Sequence, residues 1–381
     1  MTSLSRTLSA LLLVAASLLG GAAPASATTG PGTMFLVGGA LDDANAGVYG
    51  EFVRQAGGAN ARIGVLSASS AVPHSSANAV MKVLKRYGAG DAIWIPVTIK
   101  KDGSGEDPEL AALASGMTAF FFTGGDQFRY VQTMIRPDGS DGAVLAAVRA
   151  RFLAGAPVAG TSAGMQIFAG PDMITGGLSY YGVRDGSVAG YFDTDQVLGY
   201  WPAGGFNFFT AGLVDTHFDA RGRDGRSIRL AADTGHTRVF GVGEDTALIV
   251  NGSSMRVVGT NGVSIMDLRS AVVGNGATWS ISGVRWSYLV DGDLYDAAQW
   301  SVIKNDIPLV PDERTAAPPT QNVFGSYELV DAALDLGGAG LSTSTTGTTA
   351  ETTPAFTVTL TKAAGFAAYS RSFTDLTLAI G

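Results

Sequence analysis

Pro157-Val158-Ala159-Gly160-Thr161-Ser162-Ala163-Gly164-Met165 is an apolar run that ends in Gly-Thr-Ser-Ala-Gly and passes into a helix-like segment. The pattern is that of a nucleophile elbow, a serine on a sharp turn between a buried strand and a helix. Gly160 and Gly164 carry no Cβ, so the turn can be tight and neighbouring backbone can come close. The free N–H groups at the start of such a helix favour negative charge developing at the serine. A G-x-S-x-G string also arises by chance at an ordinary strand–helix turn. Its meaning depends on whether the rest of the chain supplies the serine's partners.

Upstream of the elbow, apolar runs alternate with helical patterns. Met34 to Val37, Arg62 to Ser67, Ala92 to Val97 and Met117 to Phe122 read as strands, and Pro157 to Gly160 is the fifth. Ser76 to Tyr87 has helical spacing, with Val80, Val83 and Leu84 on one face. Further helices are predicted around Phe128 to Met134 and from Gly142 to Leu153, and a mixed segment runs from Ala44 to Ala56. Near-continuous apolar strands alternating with helices predict an α/β fold, a mostly parallel sheet covered on both faces. Sites in such sheets lie beyond the carboxyl ends of the strands. Gly38-Gly39, the Ser67 loop, Gly124-Gly125 and Ser162 all fall at such ends.

After about Leu178 the grammar changes. Asp215 to Leu230 is polar and rich in arginine. Val239 to Val250, Ser254 to Val258, Val263 to Leu268, Thr278 to Ile281 and Val284 to Asp291 read as strands separated by glycine-containing turns. This β-rich C-terminal part is expected to complete the same domain with antiparallel strands. Gly338 to Pro354 is low-complexity Ser/Thr/Gly and reads as a flexible loop, with terminal strands at Phe356 to Thr361 and Asp375 to Ile380.

The chain has 381 residues, 46% hydrophobic and 15% charged, enough to bury a large core. Its net charge of -8 argues against nucleic acid and anionic membranes as partners. Residues 1–27 read as a secretory signal: Arg6, an apolar run from Leu8 to Leu19 too short to span a bilayer, and a small-residue cleavage site ending at Ala27. The expected location is therefore extracellular or periplasmic, with no membrane attachment after cleavage. The chain has no cysteine, which excludes disulfides, thiolate metal ligands and a cysteine nucleophile together.

A serine nucleophile needs a base, and usually an acid to orient that base. Only three histidines are on offer, His74, His217 and His236. His217 stands beside Asp215 and shortly before Arg221, Arg223 and Arg226, a setting that suits a polar cleft. His74 precedes a helix and His236 lies in a turn, both consistent with plain surface positions. The acid candidates are Glu244 and Asp245, in Gly241-Val242-Gly243-Glu244-Asp245-Thr246-Ala247-Leu248; acids within an otherwise apolar run need a partner, and Glu244 reads as the buried orienting acid. Attack on a carbonyl also needs an oxyanion hole, for which the N–H of Ala163 and that of Gly125 are candidates. Neither Gly38-Gly39 nor Gly124-Gly125 has the spacing of a dinucleotide fingerprint.

Four stretches taken together, Gly124 to Gln127 (G-G-D-Q), Gly160 to Gly164, Asp215 to Arg226 (D-x-H-F-x-x-R-G-R-x-G-R) and Gly241 to Leu248 (G-x-x-E-D-T-A-L), resemble cyanophycinase and its relatives. That is a family of serine peptidases related to aspartyl dipeptidase, with a sheet like that of class I glutamine amidotransferases. The resemblance covers roughly Met34 to Tyr295. It implies a peptidase domain over residues 28–296, a C-terminal extension over 297–381, and a homodimer. Carried over by position, it implies Ser162 as nucleophile, His217 as general base and Glu244 as third member. Gln127, Asp215, Thr216, Arg221, Arg223 and Arg226 would bind substrate or shape its pocket. No metal or organic cofactor is implied.

Cyanophycin is a poly-aspartate with arginine joined to each side chain by an isopeptide bond, so each unit offers a carboxylate and a guanidinium. Arginines would hold the first and carboxylates the second. The chain departs from the family at Thr216, where cyanophycinase has glutamine. A rival scheme is a secreted esterase of the α/β-hydrolase type using Ser162, Asp215 and His236. A non-catalytic binding protein that keeps the fold is a third.

Overall fold

The computed structural model describes residues 30–381. The expected leader, 1–27, and its cleavage site lie outside the described residues. Five strands form the heart of the main sheet: β1 (Met34–Val37), β2 (Arg62–Leu66), β3 (Asp91–Ile95), β4 (Ala119–Phe122) and β5 (Val158–Thr161). They run parallel in the order β1-β5-β4-β2-β3. Phe120, Phe121 and Phe122 alternate between the two faces, yet all three are buried. Phe121 packs with helices Ala46–Ala56 and Pro73–Arg86, while Phe120 and Phe122 pack against Gln127–Met134 and Ala143–Leu153. Two covered faces make this the α/β sheet predicted from the sequence.

On the other side of β1 the sheet continues antiparallel through Thr246–Asn251, Ser254–Gly259, Leu294–Asp296 and Ser301–Ile303, nine strands in all. A second sheet of eight strands holds the β-rich part. Leu213–Asp215 and Arg238–Val242 lie at one side, followed by Val263–Asp267, Trp279–Leu289, Phe373–Ile380, Thr357–Ala368 and Ser344–Thr348. Trp286, Phe373 and Leu376 centre its core, closed by helices Asp224–Thr234 and Glu328–Gly338. No described helix is long and apolar enough to cross a membrane.

Two expectations are corrected. The apolar stretch Val239 to Val250 is not one strand. It is two, in different sheets, broken at Gly243-Glu244-Asp245, where Asp245 takes φ 49°. The stretch Gly338 to Pro354 is not a loop throughout. Ser344–Thr348 pairs in register with Thr357–Ala368, because threonines are good residues for a half-buried strand even where composition is monotonous. Residues beyond 296 thus contribute strands to both large sheets.

Candidate active site

The carboxyl ends of β1 and β5 are level, Val37 pairing with Thr161, and β4 ends beside them. Ser162 follows β5 directly. It is a non-glycine residue with φ 55° and ψ -121°, a conformation that costs about 1–3 kcal/mol and persists only when its surroundings enforce it. They do so here. Ser162 N–H donates to Val37 O at 3.0 Å, and Ser162 O accepts from Met165 and Gln166 N–H, each at 2.9 Å. The flanking turn has no room for side chains: a Cβ on Gly160 would stand 2.0 Å from Gly164 O.

The second sheet brings the partners. Strands Leu213–Asp215 and Arg238–Val242 are parallel neighbours, so His217 and Glu244, which follow them, emerge at the same end. His217 Nε2 lies 2.7 Å from Ser162 Oγ, and its Nδ1 lies 2.6 Å from Glu244 Oε1. An ionised carboxylate can only accept, so Nδ1 carries the proton and Nε2 is left to accept from the serine hydroxyl. Burial lowers the pKa of His217; Glu244 opposes that shift, while Arg221 and Arg223 add to it. The imidazole is therefore held neutral, the form a base requires.

The backbone around the histidine is fixed by residues whose role the sequence did not disclose. His217 N–H donates to Gly38 O at 2.6 Å, and Asp245 N–H to Gly39 O at 2.9 Å. Glu244 O accepts from Asn261 Nδ2 at 2.8 Å and from Thr246 Oγ1 at 3.0 Å. The Gly-Gly after β1 was visible in the sequence as a turn at a strand's carboxyl end without the spacing of a dinucleotide motif. Its use, making room for an imidazole from another sheet, has no local signal.

Ala163 opens the short helix Ala163–Gln166 directly after the serine. Gly124 is on the other flank, where a Cβ would be 3.2 Å from Ser162 Cβ. Gly125 has φ 145° and is fixed against Ser69, whose carbonyl would sit 2.3 Å from a Cβ there. The Gly124-Gly125 turn and the start of helix Ala163–Gln166 thus adjoin the serine from two segments.

The other residues singled out in the sequence divide into buried and open ones. Asp215 is fully buried and accepts from Arg226 Nε and Nη2, each at 2.7 Å, from Ser227 Oγ at 2.9 Å and from Arg223 Nη1 at 3.2 Å. Arg226 spends Nη1 on Gly177 O at 2.6 Å. Burial alone would raise the Asp215 carboxyl, but Arg226 and Arg223 hold it below the usual carboxylate range. This pair braces the loop that carries His217; its groups are engaged with each other. Arg223 also donates to Thr216 O at 2.7 Å and Thr216 Oγ1 at 3.0 Å. Arg221 is exposed. Gln127 Nε2 donates to Ile174 O and Thr175 O at 3.0 and 3.2 Å, pinning its helix to strand Met173–Gly176. A groove of about 360 Å³ begins at Gly125 and Gln127 and is walled by Asp126, Tyr191, Asp193 and Asp195, with no lysine or arginine in its lining.

The rival serine–aspartate–histidine scheme is not assembled. His236 Nε2 is bonded to Asp172 Oδ2 at 2.9 Å, and Asp215 is enclosed by arginines. His74 is hydrogen-bonded to Asn78 within helix Pro73–Arg86. Among the described residues no three His, Asp or Glu side chains gather as a metal-binding group.

No family model matches the chain. It is 29% identical over 276 residues to the cyanophycinase of Synechococcus elongatus, covering 70% of this chain and 79% of that one. It is 28% identical over 244 residues to the cyanophycinase of Geminocystis herdmanii, covering 62% and 80%. Among solved structures, a peptidase from an acI-B1 actinobacterium superposes with a TM-score of 0.50 at 16% identity, covering 70% of this chain and 98% of that one, a likeness of fold. The relatives matched by sequence are thus cyanophycinases, and the solved neighbour shares the fold.

Proposed function

We propose that the protein is a secreted serine peptidase that hydrolyses cyanophycin or related aspartyl peptides. The observation that carries this reading is the unbroken chain from Ser162 Oγ through His217 to Glu244, at 2.7 and 2.6 Å. His217 takes the hydroxyl proton as Ser162 attacks the carbonyl carbon, and Glu244 stabilises the imidazolium that forms. The oxyanion rests on the N–H groups of Ala163 and Gly125. His217 then protonates the leaving amine, and water, activated by the same base, hydrolyses the acyl-enzyme.

The charge around the serine supports the substrate class. Exposed Arg221 lies on the His217 side, and the acidic groove begins on the Gly125 side. A substrate with a carboxylate near one end and a guanidinium near the other would meet the opposite charge at each. Export rests on the sequence of residues 1–27.

The test is incubation with cyanophycin and, in parallel, with α- and β-aspartyl peptides, followed by mass analysis. Release of aspartyl-arginine dipeptides supports the polymer, cleavage of short peptides alone moves the assignment to aspartyl dipeptides, and no cleavage of either sinks it. Mass analysis of the chain recovered outside the cells that make it tests export and cleavage after Ala27.

A further inference from the structure

A second cavity, of about 740 Å³, lies away from Ser162. Its volume falls within the roughly 300–1,000 Å³ of small-ligand sites. One wall is the polar face of strands Val263–Asp267, Trp279–Leu289 and Phe373–Ile380; the other is the segment from Tyr295 to Pro308. Asp267 is the register partner of Arg238, the first residue of the strand that Glu244 follows. The cleft is thus at the opposite end of that strand, roughly 13 Å along it at about 3.3 Å per residue.

Four charges cross the floor in alternating sign. Arg269 pairs with Asp267 at 2.6 Å, Asp267 faces Arg285 across the strands, and Arg285 pairs with Asp375 at 2.5 Å. Both arginines are about half exposed, 51% and 47%. Such exposed pairs contribute little to stability, so a ligand carrying the same charges can replace them at little cost. Asp375 Oδ2 has no partner among the described residues.

The cationic end of the row is reinforced from behind. Trp300, with φ 55°, is flanked by the guanidinium groups of Arg238 and Arg269, 3.3 and 3.7 Å from its ring centroid. Arg238 is 5% exposed, its Nε has no partner among the described residues, and its Nη2 donates to Ala297 O at 2.9 Å. Among the described residues no carboxylate is hydrogen-bonded to it. A buried cation without a bonded anion is costly; aromatic faces relieve part of that cost, and a carboxylate at this end of the cleft would relieve more.

We propose that this cleft is a second, non-catalytic seat for a peptide in which carboxylates and guanidinium groups alternate, that is, another segment of the polymer cleaved at Ser162. The proposal rests on the substrate class proposed above. The carboxylate of one unit lies at the Arg269–Trp300 end and the guanidinium at Asp375. Holding the polymer at two points raises its effective concentration at the serine without any new contact there.

The decisive measurement is calorimetric titration of full-length Ser162→Ala protein with β-aspartyl-arginine. Arg269→Gln and Asp375→Asn, each added to that background, are expected to remove one binding event, and Arg269→Lys to retain it. In the active enzyme the same two variants are expected to raise KM for the polymer about ten-fold while kcat/KM on a dipeptide-sized substrate stays within about two-fold. An unchanged number of binding events in both variants overturns the proposal, as does equal loss on polymer and short substrate, since the effect would then reach the serine. A wild-type enzyme that cleaves no aspartyl peptide defeats the peptidase reading alone; the binding count still decides the cleft.

Discussion

Gly39 lies directly against the imidazole of His217: a Cβ at residue 39 would stand 2.2 Å from Cε1 and 2.4 Å from Nε2. Gly39 has φ 115°, so a side chain there is strained as well as obstructed. Gly39→Ala must push the ring away from Ser162 Oγ. Misplacement by about 1 Å costs on the order of 100-fold in rate. The expected result is a fall of about that size in kcat, with circular dichroism unchanged. Near wild-type turnover would mean that the ring position is not limiting.

Ser162 is held at φ 55° by its neighbours, and glycine occupies that region without a steric penalty. Ser162→Gly is therefore expected to raise the melting temperature, by relieving up to about 1–3 kcal/mol of strain, while abolishing hydrolysis. Ser162→Ala and His217→Ala are each expected to lower kcat by about 10⁴-fold or more with the fold retained. Melting curves beside single-turnover assays check both; an active His217→Ala enzyme would remove the base from the scheme.

The pKa of His217 is lowered, by burial first, with Glu244 opposing and Arg221 and Arg223 adding to the shift. Its neutral form is the base. Hence kcat/KM should rise with pH along a limb centred below the ordinary histidine value of about 6.5. Arg221→Gln removes one cation that disfavours the imidazolium, so the limb should move to higher pH. A limb that stays in place in this variant would count against the electrostatic account.

Asp219 is buried against the Glu244 loop, accepting from Tyr288 Oη at 3.0 Å, and burial raises its carboxyl to about 7. An acid with a raised folded pKa stabilises the fold in its protonated form. That contribution is complete below the unfolded value of about 3.9 and is lost as pH rises through about 7. The melting temperature should decline over this window, and Asp219→Asn, which cannot ionise, should decline less. Parallel curves for the two proteins would refute the assignment.

Much of the fold was legible from the chain because its signals are local. Five apolar runs, four of them closed by a glycine or serine turn, mark the parallel strands, and the glycines at 160 and 164 mark the elbow. The residue types of the serine, the histidine and the acid were legible too, since so few histidines compete. The break at Gly243 was not. Gly241 to Leu248 reads as one strand that is apolar apart from its acids, and only pairing with two different sheets turns Glu244 into a loop residue beside His217.

What the sequence determined by itself is the set of candidate groups and the α/β class, both written in short-range pattern. Only the tertiary structure decided their relation. Ser162 and His217 are 55 residues apart, and His217 and Glu244 are 27 apart. They meet because the residues after β1, Gly38 and Gly39, accept from the N–H groups of His217 and Asp245 where the chain leaves the second sheet. It also decided that Asp215 and Arg226 brace the histidine loop while Arg221 remains exposed. Strand register and burial are set by contacts between distant segments, and no window of sequence contains both partners.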